Sequence, residues 1–391
     1  MTTQSAEKDR LDGNALPEGF RLPISATEDA DEFFVNIGPQ HPSTHGVLRI
    51  VVRLSGETVV EAVPHLGYVH RGIEKMAENQ TYIQNIHLTD RLDYLSAFFN
   101  NLCFCMAVEK AMNIGVPERG EYLRVMVCEL QRIQSHLLWW GVMGMDLGGF
   151  TPFLYAFRER EMITDIFEEM CGARLTMNFF RPGGSCFDAP DTFVPRIKKF
   201  ITVLYKTIDE YNTLLSGNVI FLNRTEGVGV LSRADALAYG CSGAVLRASG
   251  VSYDVRKNDT YSLYDQFDFD VPTSTQGDSL ARYKLKMEEM MQSLRILEQA
   301  VERFPDGPYR SQPKAVYKLP KGSYYSQVET PRGLLGIYIV SDGGTKPYRV
   351  KYRSPNFSNL SALNHAAKGL KLADLVTIMS SMDFVIPDMD K

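Results

Sequence analysis

Residues 118–140 read ERGEYLRVMVCELQRIQSHLLWW, and Gly115-Val116-Pro117 immediately before them breaks whatever precedes. Apolar residues at helical spacing make this stretch a long helix, and its surroundings decide what it packs against. Upstream, helical spacing starts near Gly72 and runs through Leu92, Tyr94, Leu95, Phe98 and Phe99 to residues 102–108. Downstream, Thr151-Pro152 opens a helix over 153–170, and Asp191-Thr192 opens another over 193–215. Gly277-Asp278 leads into a further helix ending near Arg303, and a last one covers roughly 360–379. These segments predict a helical bundle.

Strand patterns flank the bundle. Alternating apolar residues mark 33–37 and 48–54, and Ser55-Gly56 turns the chain into 59–63. Near the other end, 323–328, 335–340 and 348–352 read as a three-stranded antiparallel unit with turns at Pro331-Arg332-Gly333 and Asp342-Gly343-Gly344. The stretch 216–272 is mixed and rich in Gly and Tyr. The expected fold class is therefore α+β, a central helical bundle with small antiparallel β units in its N- and C-terminal parts. Residues 1–31 read as an exposed arm. Residues 32–391 read as a single domain, with β units over 33–64 and 323–353, a bundle over 70–305 and a C-terminal helix over 360–380.

The 391 residues are 44% hydrophobic, enough for a large core. The net charge is -5 with no concentrated basic segment, which argues against a nucleic-acid partner. The most apolar stretch, 137–145, is far shorter than the roughly 20 residues of a membrane-spanning helix. Six cysteines (Cys103, Cys105, Cys128, Cys171, Cys186, Cys241) form no CxxC pair. They read as small buried hydrophobes in a reducing, cytoplasmic setting.

Several residues invite chemistry, each with a plain alternative. His41 and His45 are four apart, but Gly38-Pro39, Pro42 and Gly46 describe a turn between strands, so no metal site is read there. A turn holding one imidazole at a cavity wall fits better. By itself Tyr94 would be a core tyrosine at helical spacing with Phe98, Asp146 a helix-end residue, and Arg71 and Arg91 solvated.

Ordered motifs change those odds. The run Gly38-Pro39-Gln40-His41-Pro42-Ser43-Thr44-His45-Gly46-Val47-Leu48-Arg49 is followed by His70-Arg71-Gly72-Ile73-Glu74-Lys75, Asp90-Arg91-Leu92-Asp93-Tyr94 and Asp146-Leu147-Gly148. Then come Arg181-Pro182-Gly183-Gly184, Tyr253-Asp254-Val255-Arg256-Lys257 and Ser341-Asp342-Gly343-Gly344. In this order the chain, from about Phe33 to its C-terminus, resembles the D-subunit family of respiratory NADH-quinone oxidoreductase (complex I). The resemblance implies a quinone-site component of a proton-translocating enzyme, inactive alone. Tyr94 and His45 would serve the quinone, with Asp146 as the carboxylate partner of His45; His41, Thr44, Arg71 and Arg91 would contribute to binding quinone or to the surroundings of a 4Fe-4S cluster in the neighbouring B subunit. Implied partners are the B, C and I subunits of the peripheral arm and the H subunit of the membrane arm, at the cytoplasmic side of the cell membrane. Quinone reduction takes two electrons and two protons, so donors such as phenol and imidazole are chemically apt. A non-catalytic scaffold and a ferredoxin-fed relative of the complex are the alternatives.

The same pattern is similar to the large subunit of nickel-iron hydrogenases, which binds metal with two CxxC motifs. Here Asp93 and Ser96 stand in one pair of cysteine places and Val385 and Asp388 in the other, so soft thiolate ligands are lacking. The chain also departs from the family. It is shorter between Arg310 and Tyr324, it has Thr176 where many members carry a histidine, and it ends in Pro387-Asp388-Met389-Asp390-Lys391.

Overall fold

The structure, a computed structural model, describes residues 32–312, 314 and 316–391. The expected N-terminal arm over 1–31 lies outside the described residues. The chain opens with β1 (Glu32–Ile37), β2 (Arg49–Ser55) and β3 (Thr58–His65), paired antiparallel in that order with Val52 opposite both Val35 and Ala62. Helices α1 (Ile73–Asn79), α2 (Tyr82–Thr89), α3 (Ala97–Met112), α4 (Glu118–Asp146) and α5 (Thr151–Cys171) follow. A two-residue hairpin, β4 (Phe180–Arg181) and β5 (Gly184–Ser185), leads to α6 (Phe193–Tyr211), which one π-turn extends through Asn212–Ser216.

The mixed stretch contains four short α-helices, α7 (Val219–Thr225), α8 (Arg233–Ala238), α9 (Ala244–Ala248) and α10 (Val255–Asn258), and one 3-10 turn over Tyr264–Gln266. Then α11 (Ser279–Glu302) crosses the bundle. Its start is fixed by Asp278, whose Oδ1 accepts from the Ala281 N–H at 2.7 Å and whose Oδ2 accepts from the Gly227 N–H at 2.8 Å. The second sheet, β6 (Gly322–Thr330), β7 (Gly333–Ser341) and β8 (Arg349–Arg353), is antiparallel in sequence order. Last come α12 (Pro355–Ser361), α13 (Leu363–Ala367), α14 (Leu372–Met382) and α15 (Ile386–Met389).

At the centre lies α4, buried almost continuously from Tyr122 to Gly141 and packed between α5 and α11. A helix covered on all sides is normally apolar. This one buries Glu129, Arg132 and His136 as well, and each has an ionic partner. Gly141 allows the approach of α5, because a Cβ there would lie 3.0 Å from the Cα of Phe153. A second apolar cluster joins Ile50, Val52 and Leu54 of the first sheet to Leu363, Leu375 and Ile378. Each such side chain contributes roughly 2 kcal/mol by burial, so the first sheet is held to the C-terminal helices.

Two expectations need correction. The helix read through Tyr94 stops at Thr89 and restarts at Ala97. Polar side chains in the gap offer the backbone other partners: Asp93 Oδ1 accepts from the Leu95 N–H at 3.0 Å, and the Asp93 carbonyl accepts from Ser96 N–H and Asn100 Nδ2, both at 3.0 Å. The C-terminal helix is likewise three helices before residue 382. It breaks at Gly369, where φ is 82°, because residues 369–372 hydrogen-bond to the edge of β3: Gly369 N–H donates to Val59 O and Val59 N–H to Leu370 O, both at 2.8 Å.

Candidate functional site

The turn from β1 to β2 carries the first group. Pro42 starts one 3-10 turn over Pro42–Thr44, His41 Nδ1 accepts from the Ser43 N–H at 3.2 Å, and the buried Thr44 hydroxyl donates to His41 O at 2.7 Å. His45 closes the turn in the left-handed region with φ 51°. A non-glycine residue there costs about 1 kcal/mol, which the surrounding hydrogen bonds offset. The conformation brings the imidazole to the end of α4, where Nε2 lies 2.7 Å from Oδ2 of Asp146.

Asp146 is the last residue of α4, where the helix dipole disfavours negative charge. His45 and the Ser380 hydroxyl of α14 both reach the same oxygen and compensate. The carboxylate is 5% exposed and the imidazole 15%, so the pair is shielded without being sealed.

Tyr94 reaches the same place from the non-helical turn between α2 and α3. With His45 it lines a cavity of about 310 Å³, whose walls also include Leu138, Trp139, Val142 and Met145 of α4 and Phe384 and Val385 beyond α14. Burial, reinforced by the Asp93 carboxylate, pushes the Tyr94 phenol above its ordinary value. The hydroxyl therefore keeps its proton as a donor at neutral pH.

The floor is ionic. Arg332, in the turn from β6 to β7, donates to Asp93 Oδ2 and Asp383 Oδ1, both at 3.0 Å, and to Ser135 Oγ at 3.0 Å and Ser96 Oγ at 3.4 Å. Lys286 donates to the other Asp383 oxygen at 2.6 Å. Burial lowers the Lys286 ammonium to about 8, against the attraction of Asp383. Asp383 feels burial in the opposite sense, but Arg332 and Lys286 hold it below the ordinary carboxylate value.

The structure thus brings His45 and Tyr94 to one cavity with Asp146 behind the imidazole, and none of the other expected residues lines that cavity. His41 lines a separate groove of about 530 Å³ with Ile37, Leu372 and Val376. Thr44 spends its hydroxyl inside the turn. Arg71 and Arg91 lie on the surface near each other, and Arg71 donates to Pro387 O at 3.0 Å. Thr176, the departure from the family's histidine, is in the left-handed region at φ 53°.

Sequence reading missed Arg332, Lys286 and Ser380 as site components. The signal for Arg332 was weak, since Pro-Arg-Gly in a hairpin turn ordinarily points to solvent. Among the described residues no group of His, Cys, Asp and Glu could hold a metal ion. The six cysteines, four of them buried, are not gathered into any such group, so the described thiols offer no ligand set for an iron-sulfur cluster. No helix among the described residues is long and apolar enough to cross a membrane.

The family described as "Respiratory-chain NADH dehydrogenase, 49 Kd subunit" matches residues 146–318 and 313–391. Fold and match together define a component of a respiratory oxidoreductase complex. The chain is 50% identical over 361 residues to the D subunit of NADH-quinone oxidoreductase from Bacillus mycoides (strain KBAB4), covering 92% of this chain and 99% of that protein. The Bacillus anthracis protein gives the same figures. The D subunit of NADH-quinone oxidoreductase from Desulforamulus reducens (strain ATCC BAA-1160 / DSM 100696 / MI-1) is 51% identical over 364 residues, 93% of this chain and 100% of that one. The chain belongs to the D-subunit family of NADH-quinone oxidoreductase, the 49 Kd subunits of this complex.

Proposed function

We propose that the cavity of about 310 Å³ receives the headgroup of a quinone and that His45 and Tyr94 hydrogen-bond its two carbonyl oxygens. The observation that carries this reading is the His45–Asp146 contact at 2.7 Å on the wall of an apolar cavity that Tyr94 also lines. A proton-exchanging imidazole with a carboxylate behind it, facing a protonated phenol, suits a guest that gains protons at both ends. Leu138, Val142 and Phe384 exclude water around the ring, and Asp146 orients the imidazole.

The two electrons come from outside this chain, from a 4Fe-4S cluster in the B subunit, whose environment Arg71 and Arg91 make more positive. The partners in this reading are the B, C and I subunits of the peripheral arm and the H subunit of the membrane arm, at the cytoplasmic side of the membrane. Exposed Met145 at the cavity, with Phe150 and Leu154 at the start of α5, offers an apolar surface suited to a membrane partner. Proton uptake at His45 and Asp146 would couple the reduction to proton translocation.

The test is quinone reduction by the assembled complex carrying Tyr94→Phe. The expected result is a fall in turnover of about a hundredfold with assembly intact, as for loss of a positioned acid. Unchanged turnover would return Tyr94 to a packing role and favour a scaffold.

A further inference from the structure

Helix α4 is buried from Tyr122 to Gly144 at every position but two, Leu138 and Val142. Both line the cavity, together with Met145, which is 37% exposed near the end of the helix. The three positions share one helix face and span about 10 Å along the axis. An apolar stripe left partly open on an otherwise covered helix calls for a hydrocarbon neighbour, and the guest of the cavity is placed to supply it.

The polar part of the wall limits what else that guest can carry. Trp139 donates its Nε1 proton to the Ser380 carbonyl at 2.7 Å. Arg332 donates from all three guanidinium nitrogens, to Asp93 Oδ2, Asp383 Oδ1 and the Asp383 carbonyl, each at 3.0 Å. Asp383 accepts through both carboxylate oxygens, from Arg332 and Lys286, and those two cations hold it ionised. An ionised carboxylate offers no proton to an ether oxygen and repels its lone pairs.

Two side chains at the cavity keep hydrogen-bonding capacity. The Tyr94 hydroxyl has no hydrogen-bond partner among the described residues, and the His45 ring is engaged through Nε2 alone, by Asp146. The two carbonyl oxygens of a quinone occupy both. A further oxygen on the ring would then leave water for a wall of Leu138, Val142 and Phe384, with no side-chain donor to replace the lost hydrogen bond. Val142 stands one helical turn before Asp146, so it flanks the carbonyl that His45 would hold and meets the substituent beside it.

We propose that the cavity selects quinones whose ring flanks carry only hydrocarbon, methyl groups or a fused ring, against quinones bearing alkoxy oxygens there, and that Leu138 and Val142 set this preference. The inference rests on the quinone-site reading and deepens it by naming the class of ring. The preference lies in binding. The ring still gains two electrons and two protons at its carbonyl oxygens, from the sources named above, and its substituents are unchanged.

The test offers the assembled complex two benzoquinones with the same decyl tail. One carries two methyl groups at adjacent ring positions, and the other carries two methoxy groups at those positions. With concentrations taken in the lipid phase, kcat/KM should be about tenfold higher for the methyl compound, through KM more than kcat. Val142→Thr keeps the shape of the side chain and adds a hydroxyl to the wall, so it should narrow that ratio severalfold. Equal efficiency with the two acceptors, or preference for the methoxy compound, overturns the selection. A ratio unchanged in Val142→Thr overturns the part assigned to Val142. The native comparison needs no variant and decides the preference even where Val142→Thr fails to assemble. Reduction of both acceptors alike would leave the quinone-site reading standing and sink this inference alone, whereas reduction of neither would remove both.

Discussion

The cavity wall and the ionic interior use the same kinds of side chain under opposite conditions. In the interior, Arg256 meets Asp254 and Glu129, Arg247 meets Glu289 and Glu329, and all of these side chains are shielded from solvent. At the cavity, His45 has a single carboxylate partner and a ring 15% exposed, and Tyr94 stands on a half-buried turn. Buried ion-paired charges hold helices and sheets in register, because losing one partner strands the other in a poor solvent. Partly partnered groups beside a void retain capacity for a guest. Arg332 belongs to both regions, with its side chain buried like the interior ions and its contact to Asp383 at the cavity floor.

That position gives the largest expected effect. Arg332→Met would leave Asp93 without its guanidinium and Asp383 with Lys286 alone. Destabilisation of about 3–5 kcal/mol is expected, enough to prevent assembly, and is measured by recovery and thermal midpoint of the complex. A fully assembled Arg332→Met complex with a native midpoint would erase the distinction between floor and interior.

Asp146→Asn should show the converse. The amide keeps the shape of the carboxylate and a contact to Ser380, so the midpoint should change little. Quinone turnover should fall about tenfold or more, with kcat affected before KM, because the imidazole loses its charged partner. A midpoint lowered as far as in Arg332→Met would place Asp146 with the interior ions.

Asp90 sharpens the contrast from a third side. It is buried, and its partners are the Asn101 amide and the Asn178 N–H at 2.8 Å rather than a guanidinium within hydrogen-bond reach. Burial outweighs those bonds and raises the carboxyl from 3.8 to about 7. The unfolded chain ionises first, so Asp90 stabilises the fold fully below about pH 4, and that contribution is lost as pH rises to about 7. Native stability should fall between those values with a slope contribution of about 1.4 kcal/mol per pH unit, absent in Asp90→Asn. Parallel pH profiles of the two complexes would show that Asp90 ionises as it does in the unfolded chain.

The sequence made some of this legible and concealed the rest for physical reasons. Asp278 announced α11 because a cap acts over three residues, and Gly343-Gly344 announced a turn for the same local reason. The β-turn carrying His45 was legible from Gly38, Pro39, Pro42 and Gly46. Tyr94 was placed on a helix because its spacing with Phe98 fits one, whereas the competing hydrogen bonds of Asp93 and Asn100 leave no periodic trace. The cavity floor was hidden for another reason. Arg332 acquires its meaning from Asp93, 239 residues away, and Lys286 from Asp383, 97 residues away. No local pattern encodes such pairings, and only the motif order tied His45, Tyr94 and Asp146 to one place.

The smallest expected effect concerns the turn that aims His45. Gly46 has φ 145°, and a Cβ there would lie 3.3 Å from Cγ1 of Ile386, the first residue of α15. Gly46→Ala therefore combines unfavourable backbone geometry with a contact that Ile386 must yield by a few tenths of an ångström. The cost should be about 1 kcal/mol, too little to stop assembly. If the cavity wall works through the aim of its few polar groups, even this shift at the residue following His45 should lower turnover severalfold while the interior network and the midpoint stay nearly native. Native turnover in Gly46→Ala would mean that the 2.7 Å contact with Asp146 fixes the imidazole by itself, whatever the turn behind it does.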